Sequence, residues 1–266
     1  MEPFFCYNIK RGSDKISHRS VLKKKSTMSE KDFFLSQTMM GQVPLSARPC
    51  QSLQQRAIQN KEACVPLLKK TEISRSSESL KKNLSSRRSR RSYSLETLSL
   101  EELSYLIWAS QGLRFESSGA IWRTAPSAGG CHPVQLLIAP FRVEGLSSLV
   151  YYYHPFDHTL YPYLQIGNSE DSFAEACLGQ GFISEAATLF VWVVDIEQAV
   201  SRYGKRGYRY MFIDAGHICQ NLYLAVEDLG LATCAIGAFD DDEINSLLEL
   251  DPSWYWTIYL APVGRR

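Results

Sequence analysis

Between Tyr208 and Leu229 the chain carries Phe212, Ala215, Ile218, Leu222, Ala225 and Leu229 at spacings of three and four. That rhythm predicts one long amphipathic helix with a single apolar face. Gly230 follows as the residue that ends it. A helix of this length must lie against something broad and apolar. Two runs supply it, Val134–Ala139 and Thr188–Asp195, each short enough for a buried strand. Leu149–Tyr153 and Thr159–Tyr163 flank His154-Pro155-Phe156-Asp157 in a hairpin pattern. Thr233–Phe239 and Tyr255–Ala261 read as further strands, and Asn168–Leu178 as a helix. Ser99-Leu100-Glu101-Glu102 is a capping box opening a helix with Leu103, Leu106, Ile107 and Ser110 on one face, ending near Gly112. A Gly-, Ser- and Pro-rich loop is expected from Glu116 to Pro133. Asp240-Asp241-Asp242-Glu243 places negative charge at the start of another helix. The expected fold class is α+β, a mostly antiparallel central sheet flanked by helices, with a long core helix.

Charge divides the 266 residues into two regions. Residues 1–92 hold 20 Lys+Arg against 7 Asp+Glu, and the rest hold 9 against 21. Residues 1–80 show little periodicity and read as a basic, partly disordered arm with a few docked turns or short helices. Residues 81–266 form the folded domain. The arm is either solvated against an acidic body or free to touch nucleic acid or an acidic peptide. Seven cysteines, an odd number without a C-x-x-C pair, point to free thiols in a reducing cytoplasm. No apolar run is long enough to span a bilayer. The five histidines form no ligand-spaced pair, so no metal is expected.

Four stretches carry chemistry. Arg87-Arg88-Ser89-Arg90-Arg91-Ser92-Tyr93 groups guanidiniums and a hydroxyl, a set suited to a phosphate dianion. Pro126-Ser127-Ala128-Gly129-Gly130 is a run of small residues that lets backbone approach a flat ring. Asp214-Ala215-Gly216-His217 puts polar groups and a glycine inside the long helix, the glycine marking close packing and the histidine a core or interface group. Ile236-Gly237-Ala238 follows a helix stop, where Gly237 permits a backbone donor near a ligand.

Together these stretches resemble the SagB/ThcOx-type dehydrogenases of the nitroreductase superfamily over about residues 80–264. The shared patterns are R-R-S-x-R-x-Y, R-T-A-P-S-A-G-G-x-H-P, Y-G-x-R-G-Y-R-Y, A-G-H-x-x-Q-N-L and G-A-F-D-D. The resemblance implies a homodimer with FMN at the subunit interface. It implies that Arg87, Arg88, Ser89 and Arg91 hold the phosphate and ribityl chain. Pro126, Ser127, Ala128, Gly129 and Gly130 would line the isoalloxazine ring. Gly237 would present its N–H near flavin N5, with Ile236 and Ala238 beside it, and Arg265 and Arg266 lie where a further phosphate-binding basic residue is supplied.

The resemblance also implies a reaction, the oxidation of azolines to azoles in a peptide natural product. The partners would then be a precursor peptide and a cyclodehydratase. The microcin-type enzyme uses a Lys-Tyr pair where this chain has Arg202-Tyr203. Arginine is a poor base, which leaves Tyr203 or Lys205 to take the proton. Two other readings stand beside it: an NAD(P)H-dependent nitroreductase, and a family-derived scaffold that binds a peptide without turnover. No nucleic-acid or membrane partner is expected.

Overall fold

The structure is a computed structural model describing residues 52–58, 63–68, 80–117 and 120–266. In chain order the elements are α1 (Leu53–Ile58), β1 (Val65–Pro66), α2 (Leu80–Ser86), α3 (Leu100–Gln111), β2 (Leu113–Ser117), β3 (Ala120–Arg123), β4 (Val134–Pro140), β5 (Val150–His154), β6 (Thr159–Leu164), α4 (Ser169–Ala176), β7 (Thr188–Asp195), α5 (Ile196–Ser201), α6 (Gly207–Asp228), β8 (Leu231–Thr233), α7 (Asp241–Leu247) and β9 (Tyr255–Arg265). Seven strands form one sheet in the order β1-β6-β5-β4-β7-β9-β8. Every neighbouring pair in it is antiparallel.

The sheet is buried on both faces, which explains the continuous apolar runs. Side chains alternate across a strand, so β4 sends Leu136 and Ile138 to one face and Leu137 and Ala139 to the other. In β7, Phe190, Trp192 and Val194 share the first face, and Leu189, Val191 and Val193 the second. The first face is covered by α3 and α6 through Leu103, Leu106, Ile107, Met211, Ile218 and Leu222. The second is covered by α4 and α7 through Phe173 and Ile244, with Leu248 just after α7. All of β7 is buried, so a strand there needs no polar alternation.

The long helix appears as expected, and Gly230 stops it at φ +69°. Its apolar face carries Ala215, Ile218, Leu222, Ala225 and Leu229 as expected and differs only at its first position. Met211 is fully buried and Phe212 is 48% exposed. Met211 continues the spacing of Ala215, Ile218 and Leu222, whereas Phe212 falls about 100° away on the outer side. The capping box is complete: Ser99 N–H donates to Glu102 Oε2 (2.9 Å), and Glu102 N–H donates to Ser99 Oγ (3.2 Å). The loop expected from Glu116 onward is partly sheet, because β2 and β3 pair as an antiparallel ribbon. The strand expected over Thr233–Phe239 shortens to β8 plus a single bridge between Ile236 and Leu260.

Two pieces from the basic N-terminal region are docked on the sheet. Leu53 is buried in the second core, and β1 pairs with β6. The remaining residues of that region lie outside the described ones. No helix among the described residues is long and apolar enough to cross a membrane.

Candidate functional site

The arginine-rich segment runs as extended chain beside β8 and over the last turns of α6. Arg90 N–H donates to Thr233 O (2.9 Å), and Ser94 N–H donates to Arg265 O (3.0 Å). Tyr93 is buried and packs against Gly264, where a Cβ would meet its ring carbons at 3.0 Å. This anchoring turns the neighbours outward: Arg88, Ser89 and Arg91 are exposed. Tyr223 of α6 ties the segment to the fourth motif. Its hydroxyl pairs with Ser89 Oγ (2.9 Å) and accepts the Ala235 N–H (2.8 Å). The Arg87 guanidinium carbon stands 5.4 Å from the Tyr223 ring centre, and that of Arg91 5.9 Å from the Phe182 ring.

Two residues beyond Ala235, Gly237 is exposed, and its N–H donates to no described residue. Gly237 lines a cleft with Phe212, Phe239, Trp256 and Ile258. Tyr223 and Phe212 are eleven residues apart, so they share one side of α6 about 16 Å apart along its axis. Arg87 and Ser89 thus lie toward the Tyr223 end of that side of α6, and Gly237 toward the Phe212 end. A ligand with an anionic tail and a flat head fits that arrangement: exposed guanidiniums and a hydroxyl for the tail, and for the head an exposed N–H in a cleft of aromatic side chains that Asp241, Asp242 and Asn245 also line.

The remaining arginines have protein partners. Arg90 pairs with Glu227 (2.7 Å), and Arg266 reaches the same carboxylate (2.9 Å) while donating to Leu231 O. Burial pushes the Glu227 pKa up, but hydrogen bonds from Arg90, Ser86 and Arg266 prevail and hold it below the usual value. Arg265 donates to both oxygens of the buried Glu102 (3.1 and 2.9 Å), locking the capping box to β9. The structure therefore gives Arg265 and Arg266 carboxylate partners within the chain.

The small-residue loop gathers a second cluster. Ser127 Oγ–H donates to Asp214 Oδ2 (2.5 Å), and Ala128 N–H donates to Asp214 Oδ1 (3.2 Å). Ser127 Oγ in turn accepts the His132 N–H (2.8 Å). Burial raises the pKa of Asp214, while these two donors and His217 oppose the shift. Arg202 Nη1 donates to Gly129 O (2.7 Å). Gly129 has φ +59°, and a Cβ there would run into the Tyr203 hydroxyl and crowd the Arg202 guanidinium. Tyr203 is fixed edge-on to Tyr210, with ring centres 5.1 Å apart. Pro126, Ser127, Gly129 and Gly130 line a cleft of about 570 Å³ with Arg114, Trp122 and Arg123. Lys205 lies exposed in the short turn between α5 and α6.

The two clusters do not converge within one chain. Asp214 and Tyr223 are nine residues apart on α6, half a turn out of phase, so they face opposite sides of the helix. Between those sides runs an exposed stripe of Arg209, Phe212, Ile213, Gly216, His217 and Gln220. Gly216, expected to mark close packing, has open space around it: a Cβ there would meet nothing within 4 Å. His217 is exposed, so it is not a core histidine. Sequence reasoning missed Tyr223, which no motif contained, and Arg202 as the clamp on Gly129.

The Nitroreductase family profile matches residues 84–265. The chain is 35% identical over 182 residues to a protein named as a nitroreductase, MJ1384 of Methanocaldococcus jannaschii, covering 68% of this chain and 87% of that one. It is 28% identical over 134 residues to the trifolitoxin-processing protein TfxB of Rhizobium leguminosarum bv. trifolii, covering 49% of this chain and 36% of TfxB. A chain in the E. coli microcin synthetase McbBCD complex with truncated pro-MccB17 bound shares the fold at TM-score 0.59 and 19% identity, covering 88% of this chain and 91% of that one. This chain spans little more than a third of TfxB and of a matching Anabaena variabilis protein. The profile covers the whole described body from the arginine segment to the end of β9, and with the relative from Methanocaldococcus it shows that the chain belongs to the nitroreductase family of oxidoreductases.

Proposed function

We propose that the chain is an FMN-dependent oxidoreductase working as a homodimer, and that it oxidises azolines to azoles in a peptide. The observation that carries the reading is Tyr223, whose hydroxyl joins Ser89 to Ala235, two residues before Gly237, and whose ring lies under Arg87. Arg87, Arg88, Ser89 and Arg91 hold the phosphate and ribityl end. Gly237 and Ala238, both exposed, would border the ring and offer it the Gly237 N–H, while Ile236, buried and bonded to Leu260, would support them from beneath. When bound, FMN supplies the two-electron redox chemistry. The protein binds it, orients it and excludes water.

The second cluster lies on the other side of α6, so it serves the flavin held by a second copy. Pro126 to Gly130 then close over the ring from the opposite subunit, and Tyr203 arrives with them. Tyr203 is the group positioned to take the substrate's proton. Arg202 fixes Gly129 and leaves proton transfer to Tyr203, with Lys205 exposed nearby as the other candidate. Arg265 and Arg266 act at second hand, holding the segment and helix end from which Arg87 and Ser89 project.

The peptide part of the reading is supported by the relative TfxB, whose name describes toxin processing. A precursor peptide and a cyclodehydratase are the corresponding partners. Release of the cofactor from pure protein and its identification by mass tests the reading, together with Arg87→Ala/Arg91→Ala. The double variant is expected to bind FMN at least about tenfold more weakly, because each lost ionic hydrogen bond is worth over about 1 kcal/mol. Undiminished flavin in that variant, or a wild type that binds none, sinks it. Bleaching by NADH or NADPH alone would move the chain to the NAD(P)H-dependent nitroreductases.

A further inference from the structure

The cleft beside Gly237 has a volume of about 480 Å³ and carries a second donor in its wall, Asn245 of α7. Asn245 is only 7% exposed, so the direction of its amide decides what it can meet. Its Oδ1 accepts the Thr257 N–H (3.3 Å) and the Thr257 hydroxyl (3.1 Å). A backbone N–H can only donate, which fixes the oxygen on that side and turns the N–H₂ the other way. Among the described residues no acceptor takes that N–H₂. Nor is it one of the buried side-chain atoms left without a partner. It therefore reaches the surface, and the surface that Asn245 lines is this cleft.

The acceptor that fits this donor is neutral. Asp241 and Asp242 are exposed and line the same cleft, and among the described residues no Lys, Arg or His does. An anionic group would face two carboxylates without a cation. Partial burial, and then the charges of Asp240 and Asp242, already push the Asp241 pKa up, so further negative charge there is opposed. A carbonyl oxygen accepts from an amide N–H₂ without bringing charge, and Phe239 and Trp256 give it an apolar wall. The two donors of the cleft are neighbours. Ile236 pairs with Leu260, which sets Gly237 beside Tyr259, and Asn245 is tied to Thr257. Those anchor points lie two residues apart on β9, at most about 7 Å of strand. A group held by Asn245 thus lies next to whatever meets the Gly237 N–H.

We propose that Asn245 is a substrate-binding residue, whose N–H₂ donates to a backbone carbonyl of a peptide laid in the cleft beside Gly237. The occupant is an uncharged stretch of peptide with an apolar side chain against Phe239 and Trp256. Its place as the substrate next to a flavin rests on the flavin-enzyme reading. The binding of a peptide carbonyl at Asn245 does not.

The test uses the full chain, with flavin per chain read by absorbance in every sample. N-acetyl-phenylalanine N-methylamide is titrated calorimetrically beside the free acid N-acetyl-phenylalanine. The amide is expected to saturate and to bind at least about tenfold more tightly than the acid. In protein labelled with nitrogen-15 at asparagine, the Asn245 side-chain signal, identified by its loss in Asn245→Asp, should shift along the same saturation curve. Asn245→Asp keeps one oxygen for Thr257 and turns the other to the cleft. It should weaken the amide at least about tenfold, tighten the binding of phenethylamine and leave flavin per chain unchanged. Equal or tighter binding of the acid, no saturation by the amide, or an Asn245 signal that stays still while the amide binds overturns the proposal. Flavin lost from Asn245→Asp assigns the donor to the cofactor and overturns it too. If that variant does not fold, Asn245→Ser identifies the signal and the wild-type titrations decide. Flavin-free wild type that still binds the amide through Asn245 would remove the enzyme reading and leave this site standing.

Discussion

The hydroxyl of Tyr203 rests where a Cβ on Gly129 would have to stand. Gly129 is thus required twice, for its φ of +59° and for the approach of the phenol. Gly129→Ala is expected to cost about 2–4 kcal/mol, from left-handed backbone strain plus overpacking. Gly130→Ala is the control. It has φ +67° with nothing near its Cβ position, so it should cost only the backbone share, about 1–2 kcal/mol. Denaturant unfolding of both variants measures the difference. Tyr203→Phe should recover part of the loss in Gly129→Ala, and an equal cost at both glycines would show that the phenol contact is not tight.

Much of this was legible in the sequence because it is written in local spacing. The capping box at Ser99 and Glu102, the stop at Gly230 and the buried runs of β4 and β7 all follow from near neighbours. The misses are non-local. Met211 rather than Phe212 faces the core, a local exception, since Met211 alone keeps the spacing to Ala215, Ile218 and Leu222. The strands β2 and β3 were hidden by a Ser- and Gly-rich stretch. Four candidate motifs in order did not reveal that two of them sit on opposite sides of α6. That follows from the phase between Asp214 and Tyr223, and Tyr223 belonged to no motif.

Glu227 gives a pH dependence with a definite sign. Its pKa in the folded chain lies below the ordinary 4.5, because Arg90, Ser86 and Arg266 outweigh the effect of burial. The carboxylate therefore contributes stability that is fully present above about pH 4.5 and is lost as pH falls through the lowered value. It also stands in the last turn of α6, where the helix dipole disfavours an anion, so the two arginines are needed to hold it. Glu227→Gln is expected to lose about 2 kcal/mol at pH 7, less than a fully buried pair because Arg266 is 40% exposed. Urea unfolding from pH 7 to pH 3 should show the wild type converging on the variant as the pH drops. A constant gap would refute the assignment.

Gly216 offers a test of assembly that the single chain's own packing leaves clear. It is exposed in mid-helix, and a Cβ there meets nothing within 4 Å. Within one chain, Gly216→Ala should therefore stabilise α6 by up to about 1 kcal/mol through helix propensity alone. Gly216→Trp should be equally harmless to an isolated chain, since the space is open. If Phe212, Ile213 and Gly216 instead meet a second copy, the indole has no room. Light scattering should then show the wild type as a dimer and Gly216→Trp as a monomer. Flavin content should fall with the dimer, because Pro126 to Gly130 would no longer reach the surface that carries Gly237. A Trp variant that stays dimeric and keeps its flavin would move the interface off this face of α6.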